Sequence, residues 1–240
     1  PVGAAALARA LNLGLALSPV IVTEASNVKR IRPLVVSAAL TPTEEPEPVS
    51  TPRTVTISQL PLEEAETKRS AQELLDRFQS CAVITIEKPS PNEKGVYHNG
   101  AGIDVSGLVG KAHTLIDAAR ARGIFTIGAG DGGNEIGMGC IADTARQVIP
   151  TGPACGCPCE AGIAAATATD LLVVGSIANW GSYGIEACLA AALHRPEVLH
   201  SPDMEERILD AAARAGYVDP TTGISDGGAD GLPGKMSVTM

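Results

Sequence analysis

Aromatic residues are scarce in this chain: one Trp, three Tyr and two Phe account for 2% of 240 residues. The core must therefore be filled by Ala, Val, Leu and Ile, and an apolar content of 45% is enough for a sizeable one. Basic residues are in deficit too, with 18 Lys and Arg against 27 Asp and Glu and a formal charge of −9. That balance argues against a nucleic-acid or anionic-membrane partner, since either needs clustered cations to offset phosphate charge. No apolar run reaches the roughly 18 residues needed to span a bilayer, and the apolar N-terminal stretch is interrupted by Arg9, Asn12 and Pro19. The stretch also lacks the basic start of a secretory signal, and because it opens on Pro1 the chain is expected to begin inside a longer gene product. Internal repeats and coiled-coil heptads are missing as well. The expected partner is a small molecule, and the sequence leaves self-association into a homo-oligomer open.

What is present is a βα rhythm in the second half. Three short β-rich runs, Ala82 to Ile86, Ile124 to Ile127 and Leu171 to Val174, lack the period-two alternation of half-exposed strands and are each followed by a polar or glycine-rich turn. They predict central parallel strands in an α/β fold, a mostly parallel sheet flanked by helices with the site at the strand carboxyl ends. Helical spacing covers 3–12, Leu62 to Phe78, Val109 to Ala121, Glu135 to Gln147, Tyr183 to Ala192 and Asp203 to Ala215, the last with Ser201 as cap and Pro202 at its first position. Val20 to Val22 reads as a short strand and Thr54 to Ile57 as an edge strand. Residues 41–52 hold four prolines among Thr and Glu and are expected to form an exposed loop within one domain.

Three segments follow the predicted strands, and ligands of open parallel sheets bind there. The most informative runs from Gly128 to Gly139, with six glycines in twelve residues. Such a loop, expected at a helix start, exposes main-chain N–H groups to a ligand. Asp131 and Glu135 lie within it, however, and two carboxylates repel a phosphate by several kcal/mol unless a cation or proton intervenes. An ammonium-bearing substrate or a divalent metal held by Asp131 and Glu135 suits the loop at least as well. Residues 128–133 also fit G-x-G-x-x-G, but Asp131 occupies the pyrophosphate position and no acidic residue follows at ribose spacing, so a dinucleotide is set aside. Glu87 and Lys88 follow the first run, where an exposed ion pair is the plain reading and a carboxylate-binding Lys88 beside a proton-accepting Glu87 the functional one. Asn179 and Trp180 follow the third and are read as a pocket wall framed by Gly181 and Gly184.

Six cysteines, three of them crowded at Cys155, Cys157 and Cys159, do not resemble a disulfide framework and favour a reducing, intracellular compartment. C-x-C-x-C is not a standard pairing of zinc ligands, and no second Cys/His pair follows at finger spacing. Unpaired thiols are the expectation, with a structural metal as the alternative. No His has an H-x-x-x-H context, although His98, next to Asn99, could reach a site.

GDGGNEIGMG at 130–139, ANWGSYG at 178–184, and EKP followed by GVYHNGAGIDVS within 87–106 resemble the C-terminal region of the D-glutamate cyclase family. The resemblance runs in order from about Gly3 to Gly234. It implies a lyase that converts D-glutamate to 5-oxo-D-proline and water without a cofactor, cytoplasmic in bacteria and mitochondrial in animals. It also implies further family segments before Pro1 and after Met240. Ala178 stands where the family usually has Ser, so that hydroxyl is missing. On this reading Asp131 contacts the substrate ammonium and Glu135 transfers protons. Asn134 with the N–H groups of Gly132 and Gly133 steadies an oxyanion in the loop that starts at Gly130. Lys88 holds a carboxylate, and Asn179 and Trp180 close the pocket. A metal-dependent lyase or hydrolase on another amino-acid derivative and a non-catalytic amino-acid-binding protein are the alternatives.

Overall fold

Small and branched apolar residues at helical spacing build the first element, α1 (Val2–Leu15), which buries Val2, Ala5, Ala6, Leu7 and Ala10 and stops where Ala16 turns left-handed. The structure is a computed structural model that describes residues 1–44 and 52–239. It divides into two compact units, the first comprising Pro1–Gln59 and Asn179–Met240, the second Leu60–Ala178. In the first unit α1 leads to β1 (Val20–Glu24) and then to α2 (Ala25–Ser37), which carries Pro33 inside it. A proline removes one helical N–H donor, and burial of Ile31, Leu34 and Val35 offsets that loss. Two further strands follow, β2 (Thr41–Thr43) and β3 (Thr54–Leu60), in a sheet of order β1-β3-β2 with β2 and β3 parallel.

Two expectations change here. Thr54 to Ile57 is not at an edge: β3 is the middle strand, and Thr54, Val55, Thr56 and Ile57 are all buried. The Thr56 hydroxyl finds a partner inside, its Oγ1 lying 3.2 Å from Thr43 Oγ1. Thr41 to Thr43, the start of the expected loop, is strand β2, because its backbone pairs with β3 in register Thr41 to Thr54. Residues 45–51 of that loop lie outside the described residues.

The second unit begins with α3 (Glu64–Phe78), whose Glu64 and Glu66 sit in the first turn and Arg77 in the last, both favourable to the helix dipole. Then come β4 (Ala82–Ile86), α4 (His113–Ala121), β5 (Phe125–Gly130), α5 (Ala142–Val148) and β6 (Leu171–Val174). The three strands form a parallel sheet of order β4-β5-β6, in register Ile86 to Ala129 and Gly130 to Val174, so all three end at one level. Ala71 and Leu75 of α3 pack with Leu115, Ala118 and Ala119 of α4, and Val83 and Ile124 join them. The α/β class with parallel sheets and flanking helices is the one the β-rich runs predict.

The expected helix from Glu135 to Gln147 is only its last part, α5, preceded by a single 3-10 turn at Gly139–Ile141. Glycine explains the difference. Gly137 has φ +103 and its backbone presses on Gly128, where a Cβ on Gly128 would meet the Ile136 carbonyl oxygen at 2.4 Å. The chain from 135 to 138 therefore doubles back, bridging Pro89 and Ala168, and cannot coil into a helix. The glycine-rich loop is thus not at a helix start.

The chain then returns to the first unit. Helix α6 (Ala178–Leu193) starts five residues before Tyr183, so Asn179, Trp180, Gly181 and Gly184 are helical and not in a loop. Each glycine costs a helix about 1 kcal/mol, and burial of the apolar Ala178 and Ala190 works against that cost. Close packing requires Gly3 opposite, since a Cβ there would lie 2.2 Å from Ser182 Oγ. Next are α7 (Pro202–Arg214), with Ser201 Oγ accepting from the Met204 N–H as expected, and the short α8 (Gly234–Val238). Ile208, Leu209 and Ala212 complete the core formed by α1, α2 and β3. Within this unit His200 lies between two buried carboxylates, 2.8 Å from Glu186 and 3.3 Å from Glu205, and Tyr183 donates to Glu205 at 2.6 Å. No helix among the described residues is long and apolar enough to cross a membrane.

Candidate functional site

Three strand ends of the second unit converge on Asp131. It is the first residue after β5. Glu87 is the first after β4, and its N–H donates to the Ala129 carbonyl at 2.9 Å while its backbone takes a left-handed φ of +53. That conformation costs a non-glycine residue about 1 kcal/mol or more. It leaves a carboxylate oxygen of Glu87 within 4.8 Å of one of Asp131. Beyond β6, Gly175 donates to the Gly130 carbonyl at 3.1 Å, and the N–H of Ala178, first residue of α6, donates to Asp131 Oδ2 at 2.6 Å.

Glu135 closes the group. Its side chain is buried, Oε1 accepts from the Gly132 N–H at 2.9 Å, and Oε2 is buried with no hydrogen-bond partner. The fold thus aims one buried, unsatisfied carboxylate oxygen into an acidic cluster. Burial first, and the negative charge of Glu135 second, push the Asp131 carboxyl up to about 6, against the downward pull of the Ala178 N–H. A buried carboxyl beside a second carboxylate favours its protonated form.

The segment after β4 is laid against the loop. Ile136 donates to the Lys88 carbonyl and Ser90 to the Asn134 carbonyl, both at 2.8 Å, so the backbone of half-buried Lys88 runs beside the loop that carries Asp131 and Glu135. The remaining loop residues are structurally engaged. Gly133 takes φ +89 and faces Ile149 and Ala145, while Asn134 Nδ2 donates to the His98 carbonyl at 2.8 Å. Asn179 and Trp180 belong to the first unit, where Asn179 Oδ1 accepts from the Gly3 N–H at 3.0 Å and Trp180 Nε1 donates to Ser237 at 2.9 Å.

Among the described residues, two groupings with members in the second unit could hold a cation. One has Glu87 and Asp131 as members. The other joins His98 to Cys155, Cys157 and Cys159, with all four ligand atoms within 4.8 Å of one another. The three cysteines stand out in the sequence, but His98 is 57 residues from the nearest of them and no local spacing announces it. Sulfur contacts separate the thiols: burial pushes Cys155 up, yet hydrogen bonds from Cys159 and Cys157 bring it down to about 6. Cys157, drawn down by the Cys159 N–H, is carried up to about 11 by the Cys159 and Cys155 sulfurs.

The family model described as D-glutamate cyclase-like, C-terminal, matches residues 1–240. Human "D-glutamate cyclase, mitochondrial" is 32% identical over 108 residues, covering 45% of this chain and 16% of that protein. The chain therefore aligns with a minor part of that relative's length. Because the match to the family model runs from the first residue to the last, the chain belongs to the D-glutamate cyclase-like, C-terminal family.

Proposed function

We propose that this chain closes D-glutamate to 5-oxo-D-proline and water, a carbon–oxygen lyase reaction, at the acidic loop of the second unit. The observation that carries the proposal is the meeting of Glu87, Asp131 and Glu135 at the carboxyl ends of adjacent parallel strands. Such a cluster suits an ammonium group and repels phosphate. In the reaction the α-nitrogen attacks the δ-carboxyl carbon, the C–N bond forms, and a C–O bond breaks. Two protons leave the ammonium and two arrive on the departing oxygen, which leaves as water. A pair of carboxyls can carry both, and a group titrating near 6, as Asp131 does, both accepts and donates near neutral pH.

Asp131 is thus assigned the proton transfer, with Glu135 as its charge partner and Glu87 beside it for the ammonium. Lys88 pairs with a substrate carboxylate. Asn134 acts by positioning, since its amide is held by the His98 carbonyl. Folding the substrate toward a five-membered ring is itself a large part of the acceleration, as effective molarities of oriented groups reach the order of 10⁵ M or more.

Incubation with D- and L-glutamate separately, followed by chromatography for 5-oxoproline, tests the reading. Product from D-glutamate is expected. No product from either, with the protein folded, would remove the cyclase assignment. Full activity in both Asp131→Asn and Glu135→Gln would leave the reaction but overturn the site.

A further inference from the structure

The sulfur cluster of the second unit has the dimensions of a coordination shell. Cys155 Sγ lies 3.5 Å from Cys157 Sγ and 3.3 Å from Cys159 Sγ. His98 Nε2 lies 3.2 Å from Cys157 Sγ and 3.7 Å from Cys159 Sγ. In a tetrahedral zinc site with Zn–S of about 2.3 Å and Zn–N of about 2.0 Å, the edges are about 3.8 Å between sulfurs and about 3.5 Å from sulfur to nitrogen. The observed separations fall within about half an ångström of those edges. One disulfide would draw two sulfurs to about 2.05 Å and leave the third aside, whereas here Cys155 is nearly equidistant from both others.

The surroundings fit thiolates. The Cys159 N–H and the Asn92 side-chain amide each approach a cluster sulfur at 3.4 Å, Cys157 and Cys159 respectively. Donors of this kind stabilise metal-bound sulfur. His98 is almost fully buried, and its Nε2 faces the sulfurs, 3.2 Å from Cys157 and 3.7 Å from Cys159. Residues 149–170 contain no helix or strand, yet Ile163, Ala164 and Ala165 are buried. A segment so poor in regular hydrogen bonding gains much from a cross-link.

We propose that His98, Cys155, Cys157 and Cys159 bind one Zn(II) in a closed tetrahedral site that pins the 151–168 segment to the segment following β4. Three thiolates and one imidazole in tetrahedral array select zinc among the common divalent metals. Four protein ligands leave no open position, so the role is structural. The His98 carbonyl that accepts from Asn134 joins this site to the acidic loop.

Metal content of the purified chain, by plasma mass spectrometry, tests the proposal independently of any glutamate turnover. About one zinc per chain is expected, with exposed Cys81, Cys140 and Cys188 reacting rapidly with a thiol reagent and the cluster reacting only after chelation. Exchange into Co(II) should give a thiolate-to-cobalt band in the near ultraviolet and intense visible bands of tetrahedral cobalt. His98→Ala and Cys157→Ser should lower the zinc content to near zero, and Cys140→Ser should leave it unchanged. Because the variants themselves could unfold, the wild-type cobalt spectrum and thiol count decide independently. A folded protein that takes up neither metal, with all six thiols reacting alike, would overturn the proposal, as would a disulfide among the three cysteines in freshly purified protein.

Discussion

The Asn134 side-chain amide donates to the backbone carbonyl of His98, 36 residues earlier, and both partners are buried. One hydrogen bond thus couples the acidic loop to the segment that carries the imidazole. Asn134→Ala leaves the His98 carbonyl without this donor, a loss of about 1–3 kcal/mol. The urea midpoint should fall accordingly, and turnover in the proposed reaction should fall with it. An unchanged midpoint would mean that water replaces the amide at no cost.

Asp131 links stability to activity with opposite signs. Its folded pKa of about 6 lies above the usual 3.8, so its favourable contribution belongs to the protonated form. That contribution is complete below about pH 4 and is lost as pH rises through about 6. Asp131→Asn escapes the loss while keeping an oxygen for the Ala178 N–H. The variant should be more stable than wild type at pH 8 by about 1–2 kcal/mol, with activity reduced on the order of 10²-fold or more. Denaturation curves at pH 4 and pH 8 read the first effect, and a variant weaker than wild type at pH 8 would contradict it.

His200 makes a pH signature in the first unit. Burial alone lowers an imidazole pKa, but Glu186 and Glu205 together raise this one to about 9. A raised base stabilises fully below about pH 6.5 and loses that stabilisation as pH rises through its folded value. Thermal midpoints should therefore decline between pH 7 and about 9.5. Glu186, raised by its own burial, gives a loss of the same sign. Removing the imidazole in His200→Leu strands two buried carboxylates and should cost about 3–5 kcal/mol at pH 7. A loss under about 1 kcal/mol would show that the carboxylates are protonated or hydrated without it.

Glycine substitutions should separate close packing from mere flexibility. At Gly128 a Cβ would meet the Ile136 carbonyl oxygen at 2.4 Å and the Gly137 Cα at 2.7 Å, both backbone atoms that cannot turn aside. Gly128→Ala should cost about 1–3 kcal/mol by overpacking. Gly184 sits exposed in α6 with nothing within 4 Å of a Cβ, and Gly184→Ala should stabilise by up to about 1 kcal/mol. Calorimetry of the two variants reads the opposite signs directly.

Local chemistry alone determined those elements whose signals lie inside a short window. Ala82–Ile86 and Leu171–Val174 are strands at the expected bounds because unbroken β-rich runs ended by turns leave few alternatives. Ser201 and Pro202 mark the start of α7 for an equally local reason, the capping of unpaired N–H groups. Glu87 and Asp131 were legible as neighbours because each directly follows a strand and parallel strands end together. Tertiary structure decided the rest, where the deciding contact joins distant residues. The Gly128 and Gly137 backbones touch, so the glycine loop doubles back and does not start a helix. Asp131 receives its donor from Ala178, 47 residues away, and the three cysteines receive their fourth partner from His98. Single-chain spacing carries no record of such meetings, because hydrogen bonds and packing act across space whereas helical and strand periods act along the chain.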